Sequence, residues 1–243
     1  MLLEREAWLA PGFTATVFAT EVTQARGLAV TSMGDVLVVA RGDYKAGDAS
    51  QVLLLWDDDG DGVAEGRAVV VPNPPSGQFT HGLALRRLDQ RLYASSDTTV
   101  WSWSFLLGQR GPSDPISLRT EVRGINADGR GGAERGHWTR TLAFSPSDER
   151  WLFVAVGSLS NVDSDSFRSR IRRFDLSATV PKDGFDFASA SPPCSTRAPR
   201  LPPRLPPRAR SSLPRPAPAR PLARSAERLL ACASAAVGAE CRV

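Results

Sequence analysis

Over the first 190 or so residues, apolar and polar positions alternate in short runs, and no stretch sustains a helical period. One motif recurs three times: GLAVTSMGDVLVVA at 27–40, HGLALRRLDQRLYASS at 81–96 and RTLAFSPSDERWLFVAVG at 140–157. Each copy reads as a four-residue apolar strand, a polar turn, and a second strand rich in β-branched or aromatic residues. A Leu-Ala pair marks the first strand at Leu28, Leu83 and Leu142, at spacings of 55 and 59 residues. A third strand follows each copy, at 51–56, 98–103 and 170–176, and fourth strands fit 67–71 and 117–122. Four antiparallel strands per repeat of this length is the pattern of propeller blades. A β-sandwich would not repeat one Leu-Ala strand at nearly constant spacing. The expected fold is therefore all-β: a β-propeller of four-stranded antiparallel blades, with about three blades over residues 8–189. Three blades do not close a ring, and each open blade face needs a neighbour.

Composition divides the chain near Ser189. Residues 190–243 hold ten Arg, no Lys, two Glu and eleven of the 19 prolines, so the formal charge of +4 is carried by this segment and the rest sums to −4. A Pro/Arg-rich segment without apolar periodicity does not bury enough surface to offset its ordering entropy. We read 190–243 as a disordered tail, with polyproline II, an SH3-type ligand or a basic arm as sharper alternatives. A shifted reading frame in GC-rich DNA also yields this composition, and it is the reading favoured here. The basic pI thus gives no support for nucleic-acid binding by the body. The cysteines, Cys194, Cys232 and Cys241, all fall in this segment and do not staple the body. No run of about 18 apolar residues suggests a membrane helix. The opening MLLEREAWLAPGF holds no secretory h-region, which leaves a cytosolic protein or a missing N-terminus equally open and the localisation unassigned.

Candidate chemistry is sparse. The two histidines, His81 and His137, each precede the first strand of a repeat, at what read as corresponding places in the second and third copies. Loops entering the inner strands of a propeller gather at one mouth, so both imidazoles would approach one axial cavity. An imidazole near neutral pKa is the usual general base, and two loop histidines without chemistry are the plain alternative. Arg41 ends the second strand of the first repeat, where it would hold an anion or make a structural ion pair. Trp101 and Trp103 share one strand face and are expected to pack between blades. The run DDDGDGVAE places Asp57, Asp59, Asp61 and Glu65 at positions 1, 3, 5 and 9 of a loop with Gly62 at its sharp turn. Such a loop suits calcium. Ala68 at position 12 argues against an EF-hand, and a solvated Asp-Gly hairpin is the alternative.

The segment GHWTRTLAFSPSDERWLFVAVGSLSNVD at 136–163 resembles the His-containing blade of the soluble quinoprotein glucose and sorbosone dehydrogenases. PGF at 11–13, RGLAV at 26–30 and DVLVVARG at 35–42 resemble that family's first blade, FTHGLAL at 79–85 its second, and DGFDFAS at 183–189 the lead-in to a later element. The resemblance covers about 8–189, half of a typical six-bladed member, and stops abruptly in the Pro/Arg segment. It implies oxidation of a sugar or polyol by pyrroloquinoline quinone (PQQ), with an external electron acceptor and calcium as a further ligand. It implies His137 as the base that takes the hydroxyl proton, and Arg140 as an electrostatic partner of the anionic cofactor or, equally, a strand-end salt bridge. His81, with Gln78 nearby, falls where a second-blade residue approaches the cofactor. Gly136 stands where some members carry Asp before the His. Ser158 follows Gly157 where some carry an orienting Asp, leaving Ser158 and Asn161 as candidate orienters of His137. With much of the quinone site expected from later blades, impaired turnover is the expectation for this chain. A non-catalytic propeller used as a binding scaffold is the alternative.

Overall fold

The structure is a computed structural model, and it describes residues 9–42, 47–125, 137, 139–158, 160, 162 and 170–187. All of these belong to one unit, Met1–Ala190. Asn161 and the segment 190–243 lie outside the described residues.

Alternation becomes strand, as the pattern predicts. Blade 1 is a four-stranded antiparallel sheet of β1 (Ala25–Val30), β2 (Val36–Ala40), β3 (Gln51–Trp56) and β4 (Gly66–Val71), in sequence order. Blade 2 repeats that order with β5 (Leu83–Arg86), β6 (Arg91–Ser95), β7 (Val100–Ser104) and β8 (Arg119–Arg123). Blade 3 contains β9 (Arg140–Phe144), β10 (Trp151–Val156) and β11 (Arg170–Asp175). A single 3₁₀ turn, Pro115–Ser117, is the only helical segment among the described residues. The fold is therefore all-β, with blades of the propeller type.

One strand falls outside the repeat. Residues Phe185–Asp186 form β12, which pairs in parallel with β8 and extends blade 2 at its outer edge. The Phe187 N–H continues this pairing to the Arg123 carbonyl at 2.8 Å. The chain leaving β11 thus returns to blade 2, and Phe185 and Phe187 pack against Phe174 in the seam between blades 2 and 3.

Two apolar seams hold the blades face to face. Between blades 1 and 2, Leu37, Val52 and Leu54 meet Leu92, Trp101 and Trp103, with Phe79 edge-on to both tryptophans at 6.4 and 6.0 Å. The inter-blade role expected of the tryptophans holds. Between blades 2 and 3, Tyr93, Val100 and Val122 meet Leu142, Leu152 and Val154.

The inner strands converge, β1 beside β5 and β5 beside β9. Glycine is what lets them approach. A Cβ on Gly27 would lie 2.0 Å from the His81 carbonyl oxygen, and one on Gly82 would lie 2.5 Å from the Arg140 carbonyl oxygen. No side chain fits either gap, which explains the shared Gly of RGLAV and HGLAL.

Candidate functional site

Strand pairing decides which candidates share an end of the blades. Ala25 pairs with Ala40, Leu83 with Ala94, and Arg140 with Val156. The starts of the inner strands and the ends of the second strands therefore lie at one rim. That rim carries Arg41, Gln78, His81, His137, Arg140 and Ser158, so the topology gathers the candidate catalytic and cofactor-binding residues that it describes. The acidic loop does not join them. Strand β3 starts at this rim, where Gln51 pairs with Ala40, and ends at the other, where Leu55 pairs with Val36. The loop 57–65 follows β3 and belongs to the opposite rim.

The two histidines are not equivalent, which corrects their reading as corresponding residues. Leu83 and Leu142 hold the same register, pairing with Ala94 and Val154. His81 precedes its leucine by two residues and His137 by five, so His81 is the counterpart of Arg140, and His137 that of Gln78. In blade 1 the residue two before Leu28 is Arg26, which the motif search passed over and which falls in a β-bulge between Ala25 and Leu28. The signal was present: RGLAV and HGLAL differ at that first position.

Arg26 is exposed, yet its charge is felt nearby. Burial, with Arg26 adding to it, holds the half-buried His81 below the usual imidazole range. The same two causes lower Arg41. The Arg41 N–H donates to the Gln24 carbonyl at 3.4 Å, which ties the end of β2 to the entry of β1. Arg26, Arg41 and His81 cluster where blades 1 and 2 meet, with the two guanidiniums supplying the positive charge. Two guanidiniums so placed suit the approach of an anion.

Arg140 is fully buried and spans two blades. Its Nε donates to the Asp97 carbonyl at 2.9 Å, and its Nη1 to the carbonyls of Thr139 at 3.1 Å and His137 at 3.4 Å. Burial pulls its pKa down to about 10, opposed by Asp97. These contacts make Arg140 an organiser of backbone between blade 2 and the His137 segment.

His137 is exposed, and its N–H donates to the Ser158 carbonyl at 2.9 Å. Ser158 is thus brought to His137 through its main chain. Gly157 permits the approach, since a Cβ there would lie 2.2 Å from the His137 carbonyl oxygen. Gln78 is half-buried just before Phe79 and Thr80. The Thr80 hydroxyl is buried without a hydrogen-bond partner.

At the opposite rim, Asp57, Asp59, Asp61 and Glu65 offer carboxylate oxygens within 4.8 Å of one another. Asp57 accepts from the N–H groups of Gly60 at 2.7 Å and Gly62 at 2.9 Å, and Glu65 from Asp58 at 2.6 Å. Gly62 has φ of +87°, the sharp turn expected of it. Arg110 anchors the loop through Asp58 at 2.9 Å and lies 4.7 Å over the Trp56 ring. Four convergent carboxylates suit a hard cation such as calcium, in a place remote from the histidines.

A propeller segment with an electropositive rim defines the class. The chain belongs to the TrAA12-like family, whose model matches residues 7–191. It is 28% identical over 191 residues to the pyrroloquinoline quinone-dependent pyranose dehydrogenase of Coprinopsis cinerea, covering 74% of this chain and 23% of that protein. Its fold matches the holo PQQ domain of the C. cinerea pyranose dehydrogenase at a TM-score of 0.57 and 26% identity, over 71% of this chain and 38% of that one. It matches a calcium structure of a Trichoderma reesei AA12 carbohydrate-active enzyme at a TM-score of 0.59 and 26% identity, over 73% and 42%. The chain thus spans under a quarter of the curated relative and about two fifths of each solved structure. Kinship with PQQ-dependent sugar oxidoreductases holds at that level, in the TrAA12-like family rather than specifically among the glucose and sorbosone enzymes.

Proposed function

We propose that this chain carries the first blades of a PQQ-dependent dehydrogenase that oxidises the C–OH of a sugar or polyol. PQQ is a polyanionic quinone that, when bound, accepts a hydride equivalent from the substrate carbon and passes electrons to an external acceptor. The observation that carries the reading is the gathering of Arg26, Arg41, His81 and His137 at one rim, in a chain of this family. The electropositive cluster suits the cofactor's carboxylates. His137, exposed at the rim, takes the hydroxyl proton on its imidazole. Arg140 acts through backbone carbonyls, as a positioning residue for the His137 segment. Gln78 lies in register with His137 one blade earlier and orients the substrate or cofactor from that side. A glucose- or sorbosone-like substrate remains the finer expectation.

Sustained turnover is expected to be impaired in the chain as it stands, because the outer faces of blades 1 and 3 are open. The test is therefore binding and single turnover. PQQ binding to the chain should weaken about tenfold in Arg26→Ala, as expected for loss of one charge-assisted contact. Excess sugar should reduce bound PQQ, seen as an absorbance change, and His137→Ala should slow that reduction by about 10²-fold or more without changing PQQ affinity. Unchanged reduction in His137→Ala would remove the base assignment, and PQQ binding insensitive to Arg26→Ala would remove the cluster.

A further inference from the structure

The turn between β6 and β7, residues 96–99, stands at the rim that carries the histidines, between the segments that hold the blade 2 and blade 3 candidates. Both segments hang on it. On the blade 2 side, the Thr80 N–H donates to the Ser95 carbonyl at 3.1 Å, which ties down the stretch between Gln78 and His81. On the blade 3 side, the Ser95 hydroxyl donates to the Arg140 carbonyl at 3.4 Å, and the Asp97 carbonyl accepts from the Arg140 Nε at 2.9 Å. The same guanidinium donates from Nη1 to the His137 carbonyl at 3.4 Å. One planar group thus fixes the distance between the Asp97 and His137 carbonyls.

A single buried hydroxyl holds the Asp97 carbonyl in place. Ser96 is fully buried. Its Oγ accepts from the N–H groups of Thr98 at 3.2 Å and Thr99 at 3.1 Å. The Ser96 N–H closes the turn on the Thr99 carbonyl at 3.0 Å. A serine hydroxyl bonded to N–H groups two and three residues on fixes the direction of the intervening peptide. That peptide carries the Asp97 carbonyl. Thr98 is exposed and Thr99 half-buried, so water replaces a lost hydroxyl at these N–H groups and the turn relaxes at little cost to the fold. Arg140 is fully buried, and a relaxed turn takes away an acceptor that solvent does not replace.

We propose that Ser96 is a positioning residue for the candidate base. Its hydroxyl locks the turn that aims the Asp97 carbonyl at Arg140, and Arg140 holds the main chain of His137. The proposal rests on the reading of His137 as the base, and Ser96 itself touches neither substrate nor cofactor. The effect is selective. His81 is tied to blade 2 through the β5–β6 ladder and the Thr80–Ser95 bond, which the Ser96 hydroxyl does not join. His81 is therefore an internal control.

The test is NMR of the 243-residue chain, whose two histidines give two sets of ring signals, assigned with His81→Gln and His137→Ala. Ser96→Ala should move the His137 ring signals and leave those of His81 in place. Ser96→Cys, a near-isostere whose sulfur is a weak acceptor, should move them in the same direction by less. In single-turnover reduction of bound PQQ by excess sugar, Ser96→Ala should slow the step about tenfold with PQQ affinity unchanged. Added to His137→Ala it should slow nothing further, because a residue that acts through His137 has no effect without it. Unmoved His137 signals overturn the proposal. So does equal movement of both rings, which would mean a general loosening of the blades, and so does an equal slowing in the His137→Ala background. Reduction that His137→Ala leaves unchanged overturns the base assignment instead, a failure told apart from this one by His137 signals that still move in Ser96→Ala.

Discussion

The Nη1 of Arg140 donates to the carbonyl oxygen of His137 at 3.4 Å, so the arginine grips the main chain of the candidate base. Its Nε reaches the Asp97 carbonyl in blade 2 at 2.9 Å. Replacing Arg140 by Ala leaves these carbonyls without their charged donor and opens a gap in a buried seam. The expected loss is about 3 kcal/mol in denaturant unfolding, on the scale of buried hydrogen bonds to a charged group. Arg140→Lys should recover part of it, since one ammonium does not reach both blades as the planar fork does. A positioning role also predicts that either substitution shifts the NMR resonances of the His137 ring. A loss below about 0.5 kcal/mol in Arg140→Ala, within the range of ordinary surface changes, would contradict the assignment.

Gly82 sits at the contact between the inner strands of blades 2 and 3. A Cβ there would lie 2.3 Å from the Ser95 Oγ and 2.8 Å from Leu142 Cγ, besides the Arg140 carbonyl oxygen at 2.5 Å. Gly82→Ala must push two backbones apart, at a cost of about 2–3 kcal/mol and a fall in melting temperature of roughly 5–10 °C. Gly111 meets no atom within 4 Å and is the control, with Gly111→Ala expected to change stability by less than about 0.5 kcal/mol. Differential scanning fluorimetry of the pair checks this. Equal melting temperatures would mean that the inner strands do not pack as closely as described.

Much of this fold is legible along the chain, because each blade is built from local hairpins whose alternation and spacing are sequence properties. The strands around Leu28, Leu83 and Leu142 lie within a few residues of their expected places. Strand β12 is not legible: two residues have no period, and their partner β8 is about 60 residues away in the chain. The site was half legible. His81 and His137 stand out because histidine is rare here, but their mismatch emerges only by counting each from its own strand. Arg26 opens RGLAV as His81 opens HGLAL, and only the fold brings its charge to bear on His81. The remoteness of the acidic loop is a consequence of strand direction, which no local motif states.

His81 gives a pH dependence with a definite sign. Its folded pKa lies below the ordinary value of 6.5, through burial first and Arg26 second. Between the folded and ordinary values the unfolded chain binds more protons, so stability rises with pH in that window. The contribution of neutral His81 is complete above about pH 6.5 and is lost as pH falls below it. His81→Gln should flatten the acid side of the stability curve just below about pH 6.5. Arg26→Ala should flatten it partly, by removing the smaller of the two causes. Parallel curves for wild type and His81→Gln, measured by urea unfolding, would mean that His81 titrates normally. Because a bound polyanion favours the imidazolium, PQQ should also bind more tightly as pH falls through this range, and His81→Gln should lose that trend.

The acidic loop predicts a calcium effect that is separable from the quinone site. Asp57, Asp59, Asp61 and Glu65 converge on one point at the rim opposite the histidines, and Arg110 ties the loop to blade 2 through Asp58. A loop of this kind without a bidentate acid at position 12 suits weak binding, with a dissociation constant of about 10⁻⁴ M. Calcium at about 10 mM would then stabilise the fold by roughly 2.7 kcal/mol. Asp59→Ala combined with Asp61→Ala should abolish the calcium-dependent rise in melting temperature. The comparison is between plus and minus calcium within each protein, because these carboxylates also accept N–H bonds in the loop, from Asp61 at 3.1 Å and Val63 at 2.8 Å. Magnesium, which demands stricter octahedral geometry, should do less. Because the loop lies at the far rim, calcium should leave PQQ affinity unchanged. A calcium-dependent change in PQQ affinity that survives the double substitution would place the relevant ion at the quinone rim instead.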